Sequence, residues 1–332
     1  MRNKVEKNKK IIGLDIIRVI AVISVLCVHF FLNTKYYQTS VNGIGMKLQY
    51  IVRNIFMICV PLFIILTGYL NKKKEYNKEF FKGLIEVLII WLFYSIIEFF
   101  VSNINNVITI KDFIFQITDF KASYYSWYIE MYIGLYLLSP IINNGYDNLK
   151  EKDKKTALIL FLIIFILPGI VNELLIDVVH IPDWWYNVYP LGYYLTGKYI
   201  KDKKPNYNKI KLIIIFILIQ ALSFILIGKT RIEFESLNVY ISSITIFLLV
   251  YNIDIKNKTL TKIIQIISAL SLDIYLASGL TDQIVYKIFN NKLALYNIPQ
   301  SRCVLYAPIV VTTSFILATL YAYIRKKLIK VR

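Results

Sequence analysis

Ten apolar runs, each bounded by polar or charged residues, divide the chain at 11–32, 48–70, 79–101, 125–143, 155–173, 185–199, 209–228, 237–252, 262–286 and 303–324. Several approach the roughly 20 residues that a helix needs to cross a bilayer. The pattern predicts an all-α, polytopic integral membrane protein with about ten transmembrane helices. The run at 185–199 is short and full of aromatics, which predicts a tilted or partly interfacial segment. No internal repeat or low-complexity linker interrupts the series. The expected organisation is therefore a single transmembrane domain over 1–332, with a basic N-terminus at 1–10, a bundle at 11–324 and a basic tail at 325–332.

Charge orients the bundle. Of the 39 lysines and arginines, 28 fall in the N-terminus, in the polar stretches around 71–82, 144–155, 198–211 and 256–262, and in the tail. The intervening stretches hold nine: Lys35, Lys47, Lys111, Lys121, Lys229, Arg231, Lys287, Lys292 and Arg302. By the positive-inside rule both termini are cytoplasmic, in a multi-pass protein of the cell membrane. A wrong number of runs would have scrambled this alternation. The formal charge of +18 is thereby explained without nucleic acid. A hydrophobic content of 57% and a mean hydropathy of +0.55 exceed what a soluble domain carries. Cys27, Cys59 and Cys303 sit in or beside apolar runs without metal-like spacing, so neither zinc nor disulfides are expected.

The first run carries Arg18 and His29 in otherwise apolar surroundings. Eleven residues make three helical turns plus about 20°, so the two share a face roughly 16 Å apart along the axis. Arginine inside such a segment costs about 2.5–3.5 kcal/mol on insertion scales. It must face protein or water, so this helix lines a polar interior. Neutralisation by Asp15, one turn earlier, accounts for Arg18 alone and leaves His29 unexplained. With the topology above, His29, Arg53, Glu98, Glu130 and Asp282 fall at the outer level, and Asp273 near mid-membrane. Ionisable residues at such depths are functional candidates by default. Some must be structural ion pairs, with Arg53 against Glu130 or Glu98 the simplest choice.

Three stretches carry a family resemblance. Leu14-Asp15-Ile16-Ile17-Arg18, followed by Ala21 and His29, resembles the first helix of the membrane acyltransferase 3 family, marked by a basic residue, ten positions, then histidine. Val60-Pro61-Leu62-Phe63 through Thr67-Gly68-Tyr69-Leu70 is similar to that family's second helix. Physically, its proline frees a backbone carbonyl and its glycine permits close helix approach. Ser126-Trp127-Tyr128-Ile129-Glu130 through Ser139-Pro140 resembles the fourth helix. Many relatives carry histidine at the position of Tyr125, and a late motif, here Ser271-Leu272-Asp273-Ile274-Tyr275-Leu276-Ala277-Ser278, often ends in histidine. Both are absent here, which concentrates the base role on His29.

The resemblance implies O-acylation, usually acetylation, of an extracytoplasmic sugar or lipid-linked glycan, with acyl-coenzyme A as donor substrate and no bound cofactor. His29 and Glu130 are the catalytic candidates, and Arg18, Arg53, Trp127 and Tyr128 the substrate-binding ones. Attack of a hydroxyl on a thioester needs a base, and histidine, with an ordinary pKa of about 6.5, suits neutral pH. A path past Arg18 would let the pantetheine arm reach outward while the charged nucleotide stays at the lysine-rich inner face. Many relatives have a fused esterase-like domain; without one here, transfer is direct or a separate partner completes it. The other histidine, His180, lies among Glu173, Asp177 and Asp183 in a spacing that fits no standard metal site, so no metal is expected. Trp184, Trp185, Tyr186 and Tyr189 read as an interfacial aromatic belt or as a platform for sugar rings. A transporter or flippase of a lipid-linked glycan is the rival reading, with Arg18 on a pyrophosphate, and a scaffold in polysaccharide synthesis is the third.

Overall fold

Each of the ten apolar runs contributes a helix, and no strand occurs among the described residues. The computed structural model describes residues 11–174, 179–227, 233–293 and 297–329. The basic stretch 1–10, Asp177, Lys229, Arg231 and the last three residues lie outside them. The helices are α1 (Ile12–Leu32), α2 (Gly43–Phe56), α3 (Cys59–Leu70), α4 (Lys78–Ser102), α5 (Ile110–Thr118), α6 (Trp127–Asn148) and α7 (Glu151–Leu174). They continue as α8 (Tyr189–Lys203), α9 (Lys209–Ile225), α10 (Leu237–Val250), α11 (Lys258–Ala269), α12 (Ser271–Leu293), α13 (Gln300–Cys303) and α14 (Ala307–Leu328). Among the described residues, five stretches are long and apolar enough to cross a membrane, and the α11–α12 pair makes a sixth if counted as one span. The remaining runs form α6, α8, α9 and α10. Of these, α8, α9 and α10 are shorter, at 15, 17 and 14 residues.

Three runs expected to be continuous are broken. The 48–70 run divides at Met57–Ile58 into α2 and α3. Pro61 has no N–H to give the carbonyl of Met57, four residues earlier, so the helix ladder lapses there. The 262–286 run bends by 65° between α11 and α12. The final run begins with α13 and a short 3₁₀ turn, then continues as α14 to Leu328, past the boundary expected at 324. In the polar stretch before α6, Thr109 and Asp112 form a reciprocal capping box that starts α5.

The first helix is the hub: α1 touches α2, α3, α10, α11, α12 and α14. Lipid is as apolar as the side chains facing it, so helices associate here through close packing and polar contacts rather than through hydrophobic burial. The face of α14 turned to α12 carries Ser314, Ala318 and Ala322, all buried and small. It ends at Arg325, whose Nε and Nη2 donate to the Asp273 carboxylate at 2.6 and 2.5 Å. Asp273, a functional candidate by depth, is thus half of a buried ion pair, and Arg325 is a packed helix residue rather than part of a free tail. The short run at 185–199 begins in a 3₁₀ turn without buried residues and continues into α8, whose Tyr193 and Tyr194 are fully buried, so α8 packs inside the bundle. Exposed Ile213, Ile214, Ile217 and Leu218 of α9 show the opposite pattern, an apolar surface.

Close approach of α3 and α8 depends on glycine. A Cβ on Gly68 would overlap the backbone carbonyl of Tyr194, and one on Gly197 the carbonyl of Ile65. Since backbone cannot yield as a side chain can, Gly68→Ala is expected to lower stability by about 1–3 kcal/mol, the range for overpacking. Thermal unfolding in detergent measures it, and an unchanged midpoint would show that the helices separate freely.

The connections sort into two sets. At one end, Asn143 Nδ2 donates to the carbonyl of Lys73 at 2.7 Å, and Asp147 pairs with Lys74 and Lys198 at 2.8 and 3.2 Å. Tyr251 OH reaches the carbonyl of Pro205 there as well, at 2.6 Å. At the other, Gln300 Nε2 donates to Thr34 and Gln49 at 3.2 and 2.9 Å, and Ser102 Oγ donates to Gln283 at 3.3 Å. The lysine-rich connections at 71–77, 143–150 and 204–208 thus share one end.

Candidate active site

His29 lies near the C-terminal end of α1 and is 5% exposed. Ser278 and Asp282 are four residues apart on α12 and so present one face, which meets the imidazole. Nδ1 of His29 lies 3.1 Å from Asp282 Oδ2 and 3.3 Å from Ser278 Oγ. Ser278 spends its single proton on the carbonyl of Tyr275 at 2.6 Å. Its oxygen can therefore only accept from Nδ1, and the carboxylate of Asp282 likewise only accepts. Both constraints place the proton on Nδ1, leaving the lone pair on Nε2.

Asp282 is held on all sides. Ser314 Oγ donates to its Oδ1 at 2.5 Å, and Tyr125 OH donates to its Oδ2 at 3.0 Å. Tyr125 in turn receives a hydrogen bond from Asn33 Nδ2 at 3.0 Å, and its ring stacks on His29 at 3.6 Å between centroids and 16° between planes. The two positions where some relatives carry histidine thus hold side chains that touch His29.

His29 lines a cavity of about 190 Å³ with Arg53, Tyr125, Trp127, Phe234 and Tyr275. Trp127 stacks on Phe234 at 5.6 Å. Arg53 donates through Nε to Tyr37 OH at 2.7 Å, and its Nη2 lies 3.7 Å from Glu233 Oε1. The expected pairing of Arg53 with Glu98 or Glu130 does not form. Glu98 on α4 accepts instead from the Tyr124 N–H at 3.0 Å and from Gln283 at 3.2 Å.

Arg18 lines a second cavity, of about 220 Å³, with Phe63, Thr67, Tyr128, Tyr132 and Tyr275. Its Nη1 donates to Asp15 at 3.2 Å and to Ser268 at 3.4 Å, and Ser268 also donates to Asp15 at 2.7 Å. Asp15 does balance the arginine, but the guanidinium still reaches a cavity. Tyr275 lines both spaces; its hydroxyl donates to the backbone carbonyl of Tyr125, and its ring meets that of Tyr128 edge-on at 5.5 Å.

Of the sequence candidates, Arg53 and Trp127 join His29, while Tyr128 joins Arg18. Glu130 joins neither. It is exposed on α6, beside the buried Tyr128 and Ile129. Its depth was legible from the sequence, but one residue corresponds to about 100° of helix rotation, and that turn takes it off the buried face. The carboxylate at the imidazole is Asp282, which shared the outer level by depth without any signal tying it to His29. His180 lies 3.8 Å from Asp183, both exposed, and no grouping of three or more metal-ligating side chains occurs among the described residues.

A family model described as an acyltransferase domain matches residues 11–323. No curated protein and no solved structure matches the chain. The match runs from the start of α1, through Arg18, His29, Tyr275 and Asp282, into α14, and so takes in every helix described above. The chain belongs to the membrane acyltransferase 3 family.

Proposed function

We propose that the protein transfers an acyl group, acetyl in the simplest case, from cytoplasmic acyl-coenzyme A to a hydroxyl of an extracytoplasmic cell-surface glycan or lipid-linked sugar. The observation that carries this reading is the arrangement along one helix. His29, its Nδ1 engaged by Asp282, faces one cavity, and Arg18 faces a second on the other side of Tyr275. In the reaction, Nε2 takes the proton of the acceptor hydroxyl as its oxygen bonds to the thioester carbon. The C–S bond then breaks, and the proton passes to the departing sulfur to give free coenzyme A and the O-acyl sugar. Ser278 is not the nucleophile, because it meets the imidazole on Nδ1, the nitrogen that already carries a proton.

In this reading Arg18 contacts the coenzyme or positions its pantetheine arm with charge-assisted hydrogen bonds. Arg53 and Trp127 hold the acceptor, and Tyr128 lines the path of the arm. The chain crosses the cell membrane about ten times, with both termini cytoplasmic. Clustering of the lysine-rich connections at one end supports that orientation. A flippase for a lipid-linked glycan is the rival reading, and unlike acyl transfer it would tolerate loss of His29.

Sealed vesicles of known orientation test the reading. Labelled acetyl-coenzyme A should react only from the cytoplasmic side, with acetylated glycan appearing on the other. Arg18→Ala should raise KM for the coenzyme, lower turnover, or both, according to whether the arginine holds the ground state or the transition state. Topology reporters after Lys74, Lys152, Lys204 and Lys258 should read cytoplasmic, and those at Asn106, Asp177 and Asn291 external. Acetylation on the donor's own side would overturn transfer across the membrane.

A further inference from the structure

A third cavity, of about 410 Å³, lies on the far side of Tyr125 and is lined by Glu98, Asn103, Gln116, Tyr124, Asp282 and Gln283. Tyr125 also lines the cavity of His29, so the two adjoin. Most of its polar groups are committed to the fold. Asp282 accepts from His29, Tyr125 and Ser314, Glu98 accepts from Tyr124 N–H and Gln283, and Gln283 accepts from Ser102. Three side chains keep unused polar groups: the amide of Gln116 and the hydroxyl of Tyr124 make no hydrogen bond among the described residues, and Glu98 Oε2 is buried without a partner, both of its hydrogen bonds falling on Oε1.

The charge of the walls selects against anions. Two carboxylates, Glu98 and Asp282, line the space with a single lysine, Lys121, which is largely exposed and already paired with Asp119. What the cavity offers is an amide and a phenol that can both donate and accept, beside an aromatic face. That set suits a neutral polyhydroxylated ring, whose hydroxyls take the polar groups and whose C–H face lies on the tyrosine. The volume falls within the roughly 300–1,000 Å³ range of ligand pockets.

Building on the acyl-transfer reading, we propose that the acceptor is a neutral oligosaccharide of at least two sugars, bound astride Tyr125. The reacting sugar occupies the cavity of His29, and its neighbour occupies the third cavity against Gln116 and Tyr124.

Neutral mono-, di- and trisaccharides released from the source cell's own envelope are the probes. Their binding to full-length His29→Ala protein in nanodiscs, measured by equilibrium dialysis, separates recognition from chemistry. Disaccharides and longer fragments should bind about tenfold more tightly than monosaccharides, the ratio expected for one or two added polar contacts. Adding Gln116→Ala or Tyr124→Ala should remove that preference at an unchanged melting temperature, whereas Tyr124→Phe, which keeps the ring and loses the hydroxyl, should retain only part of it. In the active enzyme the same changes should raise KM for the longer acceptors and leave the effect on kcat small. Equal binding of all lengths, persistence of the preference in both alanine variants, or selective binding of anionic fragments would overturn the proposal. Acetylation of monosaccharides and longer fragments with the same KM would sink the subsite alone, while acetylation of none of them would sink the glycan reading beneath it.

Discussion

Replacing His29 by alanine is expected to lower turnover by about 10²–10⁴-fold, the contribution of a positioned general base, with normal membrane insertion. No second imidazole lines its cavity. Asp282→Asn should act in the same direction through the tautomer. An asparagine amide can donate to Nδ1, which would move the proton to Nε2 and remove the lone pair that accepts from the acceptor hydroxyl. In a serine protease triad the corresponding change costs about 10⁴-fold, which sets the upper end. His180→Ala, at an exposed site, should keep most activity. Initial rates with acetyl-coenzyme A and the envelope glycan, normalised to the amount of inserted protein, decide the matter. Similar losses for the two histidines would refute a single-base mechanism, and a fully active Asp282→Asn would leave the carboxylate with a packing role only.

Asp273→Asn is expected to destabilise the protein by about 3–5 kcal/mol, because it strands the buried Arg325 guanidinium without its counter-charge. The pair is bidentate, both residues are nearly fully buried, and Tyr94 OH adds a hydrogen bond to the same carboxylate at 3.2 Å. Removing both charges should be milder: Asp273→Leu combined with Arg325→Met replaces the pair with apolar groups, a change that is often neutral. A double-mutant cycle on thermal midpoints in detergent measures the coupling. Single variants that melt like the parent would show that water reaches the pair.

Recognition of the bundle required only composition and periodicity, because a bilayer forces each crossing to be a long apolar helix and leaves lysine on one side. That Arg18 and His29 stand on one helix was legible in the same way; that each lines its own cavity, with Tyr275 bordering both, was not. Gly68 and Pro61 also declared themselves, one at a close crossing and the other just after a break in the helix.

What followed from the sequence alone was depth, the position of each polar residue along its own helix. What only the tertiary structure decided was azimuth and partner. Depth put Glu130, Glu98, Asp273 and Asp282 forward as comparable carboxylates. Packing turned Glu130 outward, tied Glu98 to the backbone at Tyr124, gave Asp273 to Arg325, and set Asp282 against His29, 253 residues away in the chain. A helix's rotation about its axis is set by the neighbours it packs against, and in lipid those neighbours are chosen by small residues and polar contacts rather than by a hydrophobic stripe. A nearly uniform apolar helix carries little record of that choice in its own sequence.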